Sequence, residues 1–248
     1  MAPASNKVNK KNSQLLSIVM PAFNEGEVIE KTVKSIHDEV AVPYELLIVY
    51  DFAQDTTVPA VKKVQAKYKN VELVKNIYNK GALNAIKTGF VKASGYAVCV
   101  MMADLTDDPR TLNLMFEKYK QGYDIVSGSR YMPGGHQVGG PFIKQLMSRA
   151  AGISLHYIAG IPTFDPTNSF RLYSQRFLKK TKIESNGGFE LGIELTVKAY
   201  FGGYKVTEVP TTWIYLAKVS RFNMKKWLPK YIKWYFWAIN KRLNGYPK

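Results

Sequence analysis

The sequence predicts an α/β domain with a mainly parallel sheet flanked by helices. Two observations carry this. Between residues 15 and 102, short β-favouring apolar runs alternate with segments whose apolar residues recur at helical spacing. The run Val98-Cys99-Val100-Met101-Met102 then stops at Asp104, Thr106, Asp107 and Asp108, as a buried parallel strand does when it delivers polar groups to its carboxyl end. With 248 residues and 46% hydrophobic content, the chain is long enough for one substantial domain.

Taken in order, residues 15–20 and 45–50 read as strands, with Val28, Ile29, Val33, Ile36 and Val40 marking a helix between them. Val58, Val61, Val64 and Tyr68 mark a second helix. A strand follows at 71–74, a helix at 81–93 and a strand at 96–102. Asp108-Pro109 reads as the start of a helix carrying Leu112, Leu114, Met115 and Tyr119. After a strand at 124–127, residues 131–141 carry too many glycines and prolines for a regular element and read as a flexible loop. A helix at 142–159, a turn at 162–168, a strand at 170–173, a helix at 191–200 and a strand at 205–209 complete the pattern.

Three regions follow: a basic arm at 1–14, the α/β domain at 15–212 and a tail at 213–248. The tail interleaves Phe222, Trp227, Tyr231, Trp234, Tyr235, Phe236 and Trp237 with Lys225, Lys226, Lys230 and Lys233. With Pro229 in its first turn, its helix has about 16 residues, too short to span a bilayer. Its composition suits the headgroup region of an anionic membrane surface, although packing of the aromatics on the domain explains them as well.

Lys and Arg outnumber Asp and Glu by 35 to 19, a net charge of +16, so a polyanionic partner is expected. No nucleic-acid-binding motif accompanies the charge, and nucleic acid is not expected. The single Cys99 excludes an internal disulfide and a cysteine metal cluster.

Asp104 and Thr106, nearest the strand end, are the metal candidates. Mg²⁺ and Mn²⁺ prefer oxygen donors and take one or two carboxylates alongside substrate phosphates. Asp107 stays open, and Asp108 goes to the helix cap. Backbone groups of Pro21, Ala22, Phe23, Asn24 and Glu25, with Asp51, stand at the first two strand ends and suit a base and ribose. Arg130, Lys144 and Arg149 flank the glycine-rich loop and suit phosphate. His136 and His156 show no metal-ligand pattern.

The segments Ile18-Val19-Met20-Pro21-Ala22-Phe23-Asn24-Glu25, Val49-Tyr50-Asp51 through Asp55 and Thr57, and Asn79-Lys80-Gly81 with Ala85 and Gly89 come first. They are followed by Met102-Ala103-Asp104, Gly128-Ser129-Arg130-Tyr131 and Asp165-Pro166-Thr167-Asn168-Ser169-Phe170-Arg171. In this order and spacing they resemble the family 2 glycosyltransferases of the GT-A fold, and among them the dolichyl- or polyprenyl-phosphate sugar synthases. The resemblance runs from about residue 17 to residue 222, with Glu194 and Glu208-Val209-Pro210 completing it.

It implies an inverting hexosyl transfer from a GDP-mannose- or UDP-glucose-type donor to a lipid phosphate, with Mg²⁺ or Mn²⁺, peripheral on the cytoplasmic face of a membrane. A membrane-protein partner or an oligomer is compatible with that setting. The resemblance adds Gly81 and Ala103 to the nucleotide site. It places Asp104, Arg130 and Asp165 at the catalytic centre, and Arg130, Lys144, Ser148, Arg171 and Lys218 at the phosphate or acceptor. Met102 stands where the family has the first Asp of its Asp-x-Asp motif. Lys144 stands where it has Arg, and in residues 214–220 the Arg and Gly of its Asp-Arg-x-x-Gly-x-Ser segment are missing, leaving Lys218 or Arg221 to supply the phosphate-binding cation. A saccharide hydroxyl acceptor, with Asp165 or Glu194 as base, and a non-catalytic binding subunit are the alternative readings.

Overall fold

The strands form where apolar residues occupy both pleat faces. In β1 (Leu16–Pro21), Leu16, Ile18 and Met20 enter one core and Val19 the other. β2 (Tyr44–Tyr50) repeats this, with Leu46 and Ile48 on one side and Leu47 and Val49 on the other. The computed structural model describes residues 15–216 and 224–245.

The remaining elements are α1 (Ile29–Glu39), α2 (Thr57–Lys67), β3 (Val71–Lys75), α3 (Ala82–Lys92), β4 (Ala97–Val100), α4 (Thr111–Lys120), β5 (Ile125–Ser129), β6 (His136–Val138) and α5 (Phe142–Ala159). Then come β7 (Arg171–Ser174), α6 (Gln175–Lys180), α7 (Leu191–Phe201), β8 (Val206–Pro210), β9 (Thr212–Ile214) and α8 (Met224–Leu243). Seven strands pair in the order β3-β2-β1-β4-β7-β5-β8. Only β7 runs antiparallel to its neighbours, so the sheet is mainly parallel, as the sequence predicts. Helices α1, α2 and α4 cover one face, and α3 and α7 cover the other.

Three expectations change. The segment expected as an irregular loop contains β6, which pairs in parallel with β9. Its flanking glycines turn the chain at Gly134, Gly139 and Gly140, all at positive φ, and leave three residues free to pair. The tail helix begins at Met224 and has 20 residues, with Pro229 inside it. Pro229 is exposed in the second turn, where the carbonyl that loses its amide partner lies near the helix start. The boundary expected after residue 212 falls inside β9, and α8 packs on the domain. Trp234 and Ala238, one turn apart, are buried with Leu155 and Ala159 of α5 and Ile193, Val197 and Phe201 of α7.

Gly89 shows how tightly the second layer sits. A Cβ there would lie 2.1 Å from Val19 Cγ1 of β1. Gly89→Ala should therefore lower stability by about 1–3 kcal/mol through overpacking, read as a shifted urea midpoint with an unchanged slope. An unshifted midpoint would contradict this packing.

Candidate functional site

The first two strand ends are tied into one platform. Beyond β1, Asn24 adopts a left-handed φ of 57°, and its N–H donates to Asp55 Oδ1 (3.0 Å), while Glu25 N–H donates to Thr57 Oγ1 (2.9 Å). Asn24 Oδ1 accepts from Thr56 N–H (3.2 Å), so the residues Asp55 to Thr57 act as braces for the loop 21–25. Ala22 N–H continues the ladder to Val49 O at 2.9 Å. Phe23 stays exposed, edge-on to Phe52 at 5.7 Å.

Asp51, at the end of β2, accepts from Asn76 Nδ2 (2.7 Å) and from Gly81 N–H (2.8 Å). Asp51 thereby fixes the start of α3, where Gly81 takes a φ of 124°. Asn76 is a residue the motif reading missed. It lies just past β3, and its Oδ1 accepts from Thr88 Oγ1 and Tyr78 N–H. The signal available was a polar residue at the end of a predicted strand. A cleft of about 280 Å³ opens beside this platform, lined by Lys80, Asn84 and Lys87 of the α3 region and by Ser185 to Gly187.

β4 leaves the sheet at Val100, although Met101 N–H still donates to Val19 O. Ala103 is buried and its carbonyl accepts from Thr32 Oγ1 (2.9 Å), so that carbonyl is committed inside the protein. Asp104 Oδ1 accepts from Thr106 Oγ1 (2.7 Å) and Thr106 N–H (3.3 Å), so the two metal candidates stand together. Asp107 is 6% exposed. Burial pushes its carboxyl up to about 7; the Met102 N–H opposes the shift, Asp104 adds to it and Arg130 opposes it. Asp108 is not the N-cap expected of it: α4 starts at Thr111 behind Arg110 with no side-chain cap, and Asp108 instead accepts from Arg110 N–H (3.0 Å) and pairs with the Arg110 guanidinium (2.8 Å) in the turn before the helix.

Carboxylates and hydroxyl are hard oxygen donors and fit Mg²⁺ or Mn²⁺. Among the described residues no group of three or more His, Cys, Asp or Glu converges, so donor phosphates and water would complete the coordination.

Arg130, at the end of β5, forms a two-pronged pair with Asp165: Nε to Oδ2 at 2.7 Å and a terminal nitrogen to Oδ1 at 2.9 Å. Burial works against the guanidinium charge, but Asp165 outweighs it and holds the pKa above its ordinary value. Asp165 is fully buried, which places it as the anchor of Arg130 rather than as an accessible base. Glu208 Oε2 supports the same turn by accepting from Thr163 Oγ1 and Phe164 N–H, each at 2.8 Å.

Arg171 corrects an expectation. It is fully buried, and its guanidinium donates to Ser127 Oγ (2.8 Å), Asp165 O (2.8 Å) and Pro166 O (3.3 Å). It braces the Asp165 turn and is out of reach of a phosphate. Glu194 is also fully buried, accepting from Glu184 N–H, Ser185 N–H and Lys198 Nζ. On α5, Ser148 Oγ bonds Tyr131 OH and Lys144 is half-buried, placing both beside the 131–141 segment. Lys218 and Arg221 lie outside the described residues. His136 is exposed, and His156 Nδ1 bonds Ile161 O at the end of α5.

The raised Asp107 pKa has a signed consequence. Its charged form is disfavoured in the fold, so it weakens stability as pH rises from about 4 through about 7. Asp107→Asn, which keeps an acceptor for Met102 N–H, should match the wild type near pH 4 in metal-free buffer. It should exceed it by up to roughly 4 kcal/mol above pH 7. A stability difference that does not change with pH, measured by denaturant titration, would contradict this.

A profile described as Glycosyl transferase family 2 matches residues 17–182. The chain is 31% identical over 203 residues to the dolichol-phosphate mannosyltransferase of Pyrococcus furiosus, covering 80% of this chain and 56% of that protein. It thus spans just over half the length of that relative. It is 27% identical over 232 residues to the polyprenol monophosphomannose synthase of Mycolicibacterium smegmatis, covering 90% and 87% respectively.

Among solved structures, glucosyl-3-phosphoglycerate synthase of Mycobacterium tuberculosis with UDP superposes with a TM-score of 0.67 at 18% identity, covering 93% of this chain and 82% of that one. The same enzyme with Mn²⁺, UDP-glucose and phosphoglyceric acid gives 0.65 at 17%, covering 96% and 82%. At that identity the likeness speaks for the GT-A fold. Together with the motif order at the strand ends, these matches establish that the chain belongs to glycosyl transferase family 2.

Proposed function

We propose that this chain moves a hexose from a GDP-mannose- or UDP-glucose-type donor to a polyprenyl phosphate at the cytoplasmic face of a membrane, with inversion. The observation that carries the acceptor class is the surface of α5. Phe142, Ile143, Leu146 and Met147 are exposed on the helix that also carries Lys144, Ser148 and exposed Arg149. Apolar side chains beside cations suit a lipid tail and its phosphate together. Ile232, Phe236 and Leu243 of α8, which packs on α5 and α7, are exposed as well. Among the described residues no helix is long and apolar enough to cross a membrane, which agrees with a surface-bound enzyme.

The loop 21–25, Asp51 and Gly81 form the platform for base and ribose. Asp104 and Thr106 would hold Mg²⁺ or Mn²⁺, which supplies Lewis-acid stabilisation of the leaving diphosphate. Arg130, fixed in orientation by Asp165, sets a permanent positive charge at the end of β5. A lipid phosphate oxygen is already anionic near neutral pH and attacks without a general base. That economy matches a site whose two candidate bases, Asp165 and Glu194, are both buried and paired. The same pairing weighs against a saccharide hydroxyl acceptor.

Incubation with polyprenyl phosphate, Mg²⁺ or Mn²⁺ and labelled GDP-mannose or UDP-glucose should give a lipid-linked sugar. Sugar transferred only to saccharide acceptors, or no turnover with either donor, would overturn the reading. Ile143→Glu with Leu146→Glu should weaken sedimentation with anionic vesicles by about tenfold or more while nucleotide binding persists. Unchanged vesicle binding would contradict the role given to α5.

A further inference from the structure

The sequence lacks the first carboxylate of the family's metal motif, and the structure offers a replacement from the other end of the same loop. We propose that Asp107 supplies the second carboxylate of the cation site, in the place that Met102 leaves vacant. The proposal rests on the reading above in one respect only, that a divalent cation accompanies the diphosphate at Asp104.

The backbone brings Asp107 to that place. Leu105 takes a left-handed φ of 63°, which few non-glycine residues adopt, and it folds the chain back after Asp104. As a result Asp107 Oδ2 accepts from the N–H of Met102 itself at 3.0 Å, so the carboxylate lies against the backbone of the substituted position. β9 holds the fold-back from the other side. Ile214 N–H donates to Thr106 O at 3.0 Å, and Asp107 forms a bridge with Trp213.

Asp104 and Asp107 each have one anchored oxygen, whereas both oxygens of Asp108 go to Arg110. Asp104 Oδ1 receives Thr106 and Asp107 Oδ2 receives Met102, while Asp104 Oδ2 and Asp107 Oδ1 receive no donor among the described residues. An anchored carboxylate with a second oxygen to offer is a preorganised ligand. A purely turn-stabilising role accounts poorly for the burial. Asp107 is 6% exposed with no ion pair among the described residues, and the cation nearest in its electrostatics, Arg130, is committed to Asp165. A buried carboxylate without a counter-ion is costly, and a divalent ion shared with Asp104 would offset that cost. Two carboxylates, a hydroxyl and diphosphate oxygens are also the donor set that Mg²⁺ and Mn²⁺ accept.

The test is Mn²⁺ binding, followed as loss of the free-Mn²⁺ EPR signal when MnCl₂ is titrated into the full chain with GDP or UDP. Asp107→Asn should weaken Mn²⁺ binding by about tenfold or more, because affinity follows the charge count of the ligands. Asp108→Asn, which alters only the turn and the ion pair with exposed Arg110, should leave it unchanged. Met102→Asp combined with Asp107→Asn should restore it, with thermal unfolding confirming that each variant is folded.

Wild-type Mn²⁺ affinity in a folded Asp107→Asn chain, or an equal loss in Asp108→Asn, would overturn the proposal. So would a wild-type chain that binds nucleotide but no Mn²⁺. Failure of the transfer reading is distinguishable, since nucleotide-dependent Mn²⁺ binding through Asp107 would then persist in a chain that makes no lipid-linked sugar.

Discussion

Strands buried on both faces force their polar residues to the carboxyl edge of the sheet, and there each carboxylate needs a donor, a cation or water. At this edge the protein meets most of that demand internally. Asp51 takes Asn76 and Gly81, Asp165 takes Arg130, Glu194 takes two backbone amides and Lys198, and Glu208 takes the 163–164 turn. These bonds stitch loops from five strands into a rigid rim. Asp104 and Asp107, in the loop after β4, each keep an oxygen without a donor among the described residues, as do Glu208 and Asp55, whose Oδ2 is buried. The fold therefore separates acidic groups committed through both oxygens from those with one to spare.

That separation explains what the sequence disclosed and what it withheld. Apolar runs that fill both faces of a sheet are visible as runs, so all seven strands of the main sheet and their order along the chain were legible. So was the placement of Asp51 and Asp104 at strand ends. Pairing between distant loops leaves no local trace. Asp165 and Arg171 look alike as polar residues of one motif, yet Asp165 orients Arg130 while Arg171 lies beneath it, holding the backbone of the turn. β6 and β9 were hidden because three-residue strands are set by their partners rather than by periodicity. The early start of α8 was hidden because Pro229 signals a first turn and occupies a second.

The C-terminal helix was open between two readings, and the structure divides it between them. One face, through Trp234 and Ala238, is core. The other leaves Ile232, Phe236 and Leu243 in the open, in the company of α5, whose own first two turns expose a run of large apolar side chains. Aromatics on several sides of a helix have two surfaces to satisfy, which is why no single stripe was visible in the sequence.

The central claim is that the edge formed by β1, β2 and β4 seats a nucleotide diphosphate with its cation at Asp104. A crystal structure with Mn²⁺ and GDP or UDP tests it most directly. The account predicts the base against Asp51 and the 21–25 loop, and Mn²⁺ bonded to Asp104 and to the diphosphate. A nucleotide bound away from this edge, or seated there with Mn²⁺ away from Asp104, would contradict it.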